Sequence, residues 1–167
     1  PLAIIKYAKP QQTRMTDWNK KEFTQDQLSQ IYYACEDLKE QYPGQPELFQ
    51  LALITGITGM VGSHLADYLL KNTDWEIFGM CRWRSPFDNI SHLIPRIEKK
   101  DRVNLIYGDL NDYISLQNAL EISKPDYVFH LAAQSYPHVS FTNPIETYQT
   151  NINGTENILN AALKLSL

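Results

Sequence analysis

Gly56, Gly59 and Gly62 recur at intervals of three within LALITGITGMVGSHL, between an apolar run and a run with helical spacing. Such a loop lets backbone approach an anion closely and turns free N–H groups and the positive end of a helix toward it. The indicated chemistry is a pyrophosphate cradle built from Gly56, Ile57, Thr58, Gly59, Met60, Val61 and Gly62. The competing reading is a tight turn with no ligand. A strand before the loop and a helix after it favour the cradle.

Three further clusters extend this reading. Cys81-Arg82-Trp83-Arg84-Ser85 closes the second apolar run, where an acid would select the ribose hydroxyls of NAD. Two arginines and a serine instead suit a 2′-phosphate, so NADP is the expected cofactor. Trp83 either covers an adenine or packs on the core. Asp109 and Leu110 follow the third apolar run. Asp109 is expected to accept a hydrogen bond from an adenine amino group, or else to cap a turn. Leu131, Ala132, Ala133, Gln134 and Ser135 follow the fourth run, and their small side chains let a cofactor lie close to the backbone.

These clusters need elements to hold them. Continuous apolar runs at Leu51–Thr55, Glu76–Cys81, Val103–Tyr107 and Tyr127–Leu131 read as buried parallel strands. Helical spacing is read over Gly59–Lys71, more weakly over Ile90–Lys99, then over Ile114–Ile122 and Ile145–Lys164. Lys124-Pro125 stops the third of these helices, and Asn143-Pro144 precedes the last. Strictly alternating strands and helices predict an α/β fold: a Rossmann-like, doubly wound parallel sheet comprising its first four strands. Residues 1–23 read as a polar arm, and Thr24–Gln41 as an amphipathic helix opened by a T-x-x-Q capping box. Tyr42–Pro46 forms a linker. The division is therefore 1–47, an arm plus helix, and 48–167, a dinucleotide-binding domain. Met15 is a candidate natural start.

Composition narrows the function classes. The chain of 167 residues is 43% hydrophobic and 20% charged, with a net charge of −4. That charge gives no general attraction to nucleic acid or to an anionic membrane. No apolar run approaches the ~18 residues that span a bilayer. Cys35 and Cys81 form no C-x-x-C pair, which favours cytoplasmic thiols over a disulfide framework.

TGITGMVGSHL, YGDLND, PDYVFHLAAQS and TNINGTENIL together resemble the extended short-chain dehydrogenase/reductase family, in the expected order. CRWRSPFDNI and AAQSYPHVSFTNPIET most resemble the NADP-dependent GDP-mannose 4,6-dehydratases within it, through Ser140-Phe141 and the basic turn. Met60-Val61 and Glu146 depart from the usual dehydratase pattern. The resemblance implies hydride transfer from C4 of GDP-mannose to NADP⁺, loss of water across C5 and C6, and hydride return to C6. It also implies a cytoplasmic enzyme that is a homo-oligomer at full length.

The catalytic Tyr-x-x-x-Lys pair that the resemblance implies is missing: none of the ten tyrosines has a lysine four residues on. His130 reads as a satisfied core or turn histidine, and His138 as a loop residue near the expected site. Three functions stay open. The chain is the cofactor-binding part of a nucleotide-sugar dehydratase, epimerase or reductase; a non-catalytic NADP-binding module; or a fragment completed by a partner chain across an open sheet edge.

Overall fold

The computed structural model describes residues 3–4 and 50–165. Cys35, the amphipathic helix expected over 24–41 and the linker lie outside them. The described strands are β1 (Ala3–Ile4), β2 (Leu51–Thr55), β3 (Glu76–Cys81), β4 (Val103–Tyr107) and β5 (Tyr127–His130). They form one parallel sheet in the order β1-β5-β2-β3-β4. Helices α1 (Met60–Asn72), α2 (Ile94–Lys99), α3 (Tyr113–Ser123), α4 (Pro137–Thr142), α5 (Pro144–Tyr148) and α6 (Gly154–Leu165) connect or follow the strands. A 3₁₀ turn, Asp88–Leu93, leads into α2, and a π turn, Gln149–Asn153, joins α5 to α6.

Alternation along the buried strands separates two cores. Ala52, Ile54, Ile77 and Phe129 face α1 and the 3₁₀ turn through Leu65, Ala66, Leu69, Ile90 and Leu93. Leu53, Met80 and Val128 face α3 and α6 through Leu116, Ala119, Leu120, Ile158 and Ala161. Burying each of these larger aliphatic side chains contributes about 1.5–3 kcal/mol. The sheet is therefore covered on both sides, as its unbroken apolar strands require.

Local chemistry ends the helices. Asp112 caps α3 by accepting from the Ile114 N–H at 3.1 Å. Lys124 stops the helix in the left-handed region at φ 39°, immediately before Pro125. Arg102 donates to the carbonyls of Thr73 and Leu70, at 2.6 and 2.7 Å, and satisfies the last turn of α1.

The helix read over Ile90–Lys99 is a 3₁₀ turn followed by α2, the one read over Ile145–Lys164 is interrupted by the π turn, and two further elements have no counterpart in the sequence reading. Ala3–Ile4 falls within the segment that reads as an arm, yet it pairs in parallel with Tyr127 and Val128. It therefore lies on the edge of β5 that the sequence reading leaves open. Pro137–Thr142 is a short helix where the spacing predicts no element.

Candidate functional site

The four site segments lie at the carboxyl ends of β2, β3, β4 and β5, and short hydrogen bonds tie these ends together. Gly56 N–H donates to Met80 O at 2.9 Å, and Gly108 N–H donates to Cys81 O at 3.0 Å. Thr55 Oγ1 accepts from the N–H groups of Leu131 and Ala132, at 3.0 and 3.1 Å. β5 returns to the far side of β2 from β3, so strand order reverses between β2 and β5. Sheets of this kind bind ligands in the crevice at that point.

The glycines have different tasks there. Gly56 has φ +73°, and a Cβ on it would lie 2.9 Å from Ala132 Cα. A Cβ on Gly62 would lie 2.4 Å from Gly56 O and 2.8 Å from Ile57 Cα. Gly62 thus seats the first turn of α1 directly on the loop. Gly59 is exposed and serves as the N-cap of α1 without any side-chain cap. The first turn of α1 carries no acidic residue. Uncapped N–H groups and a positive helix end therefore face the crevice. Thr58, Met60 and Val61 are partly exposed beside Gly59. Ile57 is different: its side chain is fully buried, in the core beneath Gly79. Only its backbone can meet a ligand.

Arg82 to Ser85 form a tight turn, closed by Ser85 N–H donating to Arg82 O at 2.9 Å. Among the described residues neither Arg82 nor Arg84 has an ion-pair partner. Trp83 is 74% exposed, which removes core packing as its role. The Arg84 guanidinium lies 5.1 Å from its ring centroid. Burial pushes the Cys81 thiol pKa up, so it is a poor nucleophile.

Asp109 caps its own turn, its Oδ1 accepting from Asn111 N–H at 3.0 Å. Its own N–H donates to Ser115 Oγ at 3.0 Å. Leu110 is buried in the α3–α6 core, so its side chain is turned away from the crevice. After β5, Leu131, Ala132 and Gln134 are partly buried, whereas Ala133 and Ser135 are exposed. Gln134 is clamped at its backbone: its N–H donates to Asn151 Oδ1 at 2.8 Å, and Asn151 Nδ2 donates to Gln134 O at 2.9 Å. Asn151 sits in the π turn, a local widening that recurs at functional positions in helices.

Sequence reasoning missed Thr55, Asn89 and Asn151 as parts of the site. Asn89 Nδ2 donates to Thr58 O at 2.8 Å and holds the outer rim of the glycine loop. Each is a polar residue whose partner is distant in sequence. The Asn within TNINGTENIL was visible, but nothing local linked it to Gln134. Among the described residues no group of three or more His, Cys, Asp or Glu is arranged to hold a metal. No described helix is long and apolar enough to cross a membrane.

Fold and site together define a Rossmann-like domain of the extended short-chain dehydrogenase/reductase type. A solved structure of Thermus thermophilus UDP-glucose 4-epimerase in complex with NAD is similar, with a TM-score of 0.59 and 26% identity over 69% of this chain and 34% of that one. The sequence model of the GDP-mannose 4,6 dehydratase family matches residues 53–167. The chain belongs to that family. It is 43% identical over 116 residues to GDP-mannose 4,6 dehydratase of Drosophila melanogaster, covering 67% of this chain and 29% of the relative. It is 40% identical to GDP-mannose 4,6 dehydratase 1 of Arabidopsis thaliana, over 67% of this chain and 32% of the relative. The chain thus spans about a third of the length of these relatives.

Proposed function

We propose that residues 48–167 are the NADP-binding portion of a GDP-mannose 4,6-dehydratase. The observation that carries this reading is the pairing of an uncapped α1 N-terminus with the exposed Arg82–Ser85 turn at adjoining strand ends. Backbone N–H groups of the glycine loop would hold the pyrophosphate. Arg82, Arg84 and Ser85 would hold the 2′-phosphate, with Trp83 against the adenine and the free Asp109 oxygen toward its amino group. Ala132 and Ala133 would line the crevice toward the nicotinamide. Bound there, NADP⁺ supplies reversible hydride acceptance at C4 and return at C6 of the sugar. Positioning of the nucleotide would be the contribution of these residues.

The homo-oligomer reading draws support from Ile145, Tyr148, Ile152, Leu159 and Leu163, which are all exposed along α5–α6. The net charge of −4 supports neither nucleic acid nor an anionic membrane as partner. We place the protein in the cytoplasm, consistent with the free Cys81 thiol. A second reading, a nucleotide-sugar epimerase, is favoured by the likeness to the UDP-glucose 4-epimerase structure.

Titration calorimetry with NADP⁺ and NAD⁺ tests the cofactor assignment. NADP⁺ should bind the parent chain more tightly, and Arg82→Ala should weaken NADP⁺ about tenfold while leaving NAD⁺ within about threefold. Equal binding of the two cofactors by the parent chain would reject the arginine-turn reading.

A further inference from the structure

We propose that His130 is a positioning residue: a neutral ring, protonated on Nε2, that links the loop after β5 to the start of α6 through a one-way chain of hydrogen bonds. The direction follows from counting donors and acceptors. Thr55 Oγ1 accepts from two backbone groups, Leu131 N–H and Ala132 N–H. Both of its lone pairs are thereby used. Its one hydrogen must go to its remaining neighbour, His130 Nδ1, at 2.9 Å. Nδ1 is therefore an acceptor, and a neutral ring then carries its hydrogen on Nε2. Nε2 lies 3.2 Å from Thr155 Oγ1, to which it donates. Thr155 in turn donates to Asn151 O at 2.8 Å. Every hydrogen in the chain has one acceptor and no acceptor is overfilled.

The chain closes on the same loop from its other end. The Asn151 side chain clamps the Gln134 backbone. Leu131 to Gln134 are thus held at one end by Thr55 and at the other by Asn151, and His130 joins the two anchors. Ala132 lies against Gly56, where even an added Cβ would come within 2.9 Å of its backbone. A catalytic part for the imidazole is not needed to explain it. The link to cofactor affinity rests on the NADP reading above, whereas the relay itself does not.

Long-range proton–nitrogen correlation spectra of the histidine rings, with His130 assigned by its loss in His130→Phe, read the tautomer directly. The expected result is Nε2 protonated and Nδ1 bare at neutral pH. Amide exchange at Leu131 and Ala132 should accelerate about tenfold in His130→Phe. His130→Asn, which returns an acceptor near the Nδ1 position, should restore it to within about threefold. A ring protonated on Nδ1, or unchanged exchange in His130→Phe, would overturn the proposal. NADP⁺ affinity should fall in parallel with faster exchange. If the parent chain binds no NADP⁺, the cofactor reading fails, and tautomer and exchange still decide the relay.

Discussion

Gly56 and Ala132 meet backbone to backbone: a Cβ on Gly56 would lie 2.9 Å from both the N and Cα of Ala132. With Gly56 at φ +73°, alanine there meets both strain and a clash with main chain. Gly56→Ala should lower unfolding free energy by about 1–3 kcal/mol in urea. It should also abolish measurable NADP⁺ binding. Stability within a few tenths of a kcal/mol of the parent would show that the two strand ends are free to separate.

Gly62→Ala addresses a different contact. Its new methyl would press on Gly56 O and Ile57 Cα, both backbone atoms. Helix propensity alone favours alanine by about 1 kcal/mol. A net loss of stability, seen as a lower urea midpoint, is expected because the clash outweighs that gain. A higher midpoint would mean that α1 shifts away from the loop without cost.

Acid should loosen the site through His130. Burial holds its pKa below the ordinary histidine value of about 6.5. The unfolded chain then binds the proton more readily than the folded one. Stability from this group is full above about pH 6.5 and declines as pH falls below it. The added proton would reach Nδ1, where the Thr55 hydroxyl hydrogen already points. Urea midpoints of the parent and His130→Phe between pH 7.5 and 5 would measure this. The parent's decline should be the steeper of the two.

Much of this arrangement is legible from sequence because it rests on burial. Leu51–Thr55, Glu76–Cys81 and Val103–Tyr107 have the bounds that their apolar runs predict. Strands covered on both faces need such runs. Ile57 and Leu110 show the limit of motif reading. Both stand inside site motifs, yet their side chains fill the cores on either side of the sheet. Pro137–Thr142 lacks an apolar face, and none of its residues is buried. Ala3–Ile4 is too short for a period, and its partner β5 is remote in sequence. Thr55, His130 and Asn151 acquire their roles only when distant segments converge.

The Asn151 clamp predicts two losses of unequal severity. Asn151→Asp keeps the acceptor for Gln134 N–H but sets a carboxylate oxygen against Gln134 O. Asn151→Ala removes both bonds without adding repulsion. Each should destabilise by about 1–3 kcal/mol, with aspartate the worse near neutral pH. Thermal unfolding of the two variants at pH 7 would rank them. If aspartate proves the milder change, the bond its carboxylate accepts from Gln134 N–H outweighs its repulsion of Gln134 O.

Cofactor binding and turnover should separate in this chain. No tyrosine in its 167 residues has a lysine four positions later. The purified chain should bind NADP⁺ yet leave GDP-mannose unchanged in a product assay by anion-exchange chromatography. Formation of a 4-keto-6-deoxy sugar would place the base elsewhere in these residues.

The pairing of Ala3–Ile4 with β5 carries a kinetic consequence. Its register, Ala3 beside Tyr127 and Ile4 beside Val128, joins the first described residues to the last strand of the sheet. The entropy cost of closing a loop rises with the logarithm of its length, and so short a strand returns little hydrogen bonding against it. The pairing should be the last piece of the sheet to form and the first to open. The outer edge of β5 would then live on a faster clock than the strands beside it, alternating between covered and bare while the rest of the fold stays intact.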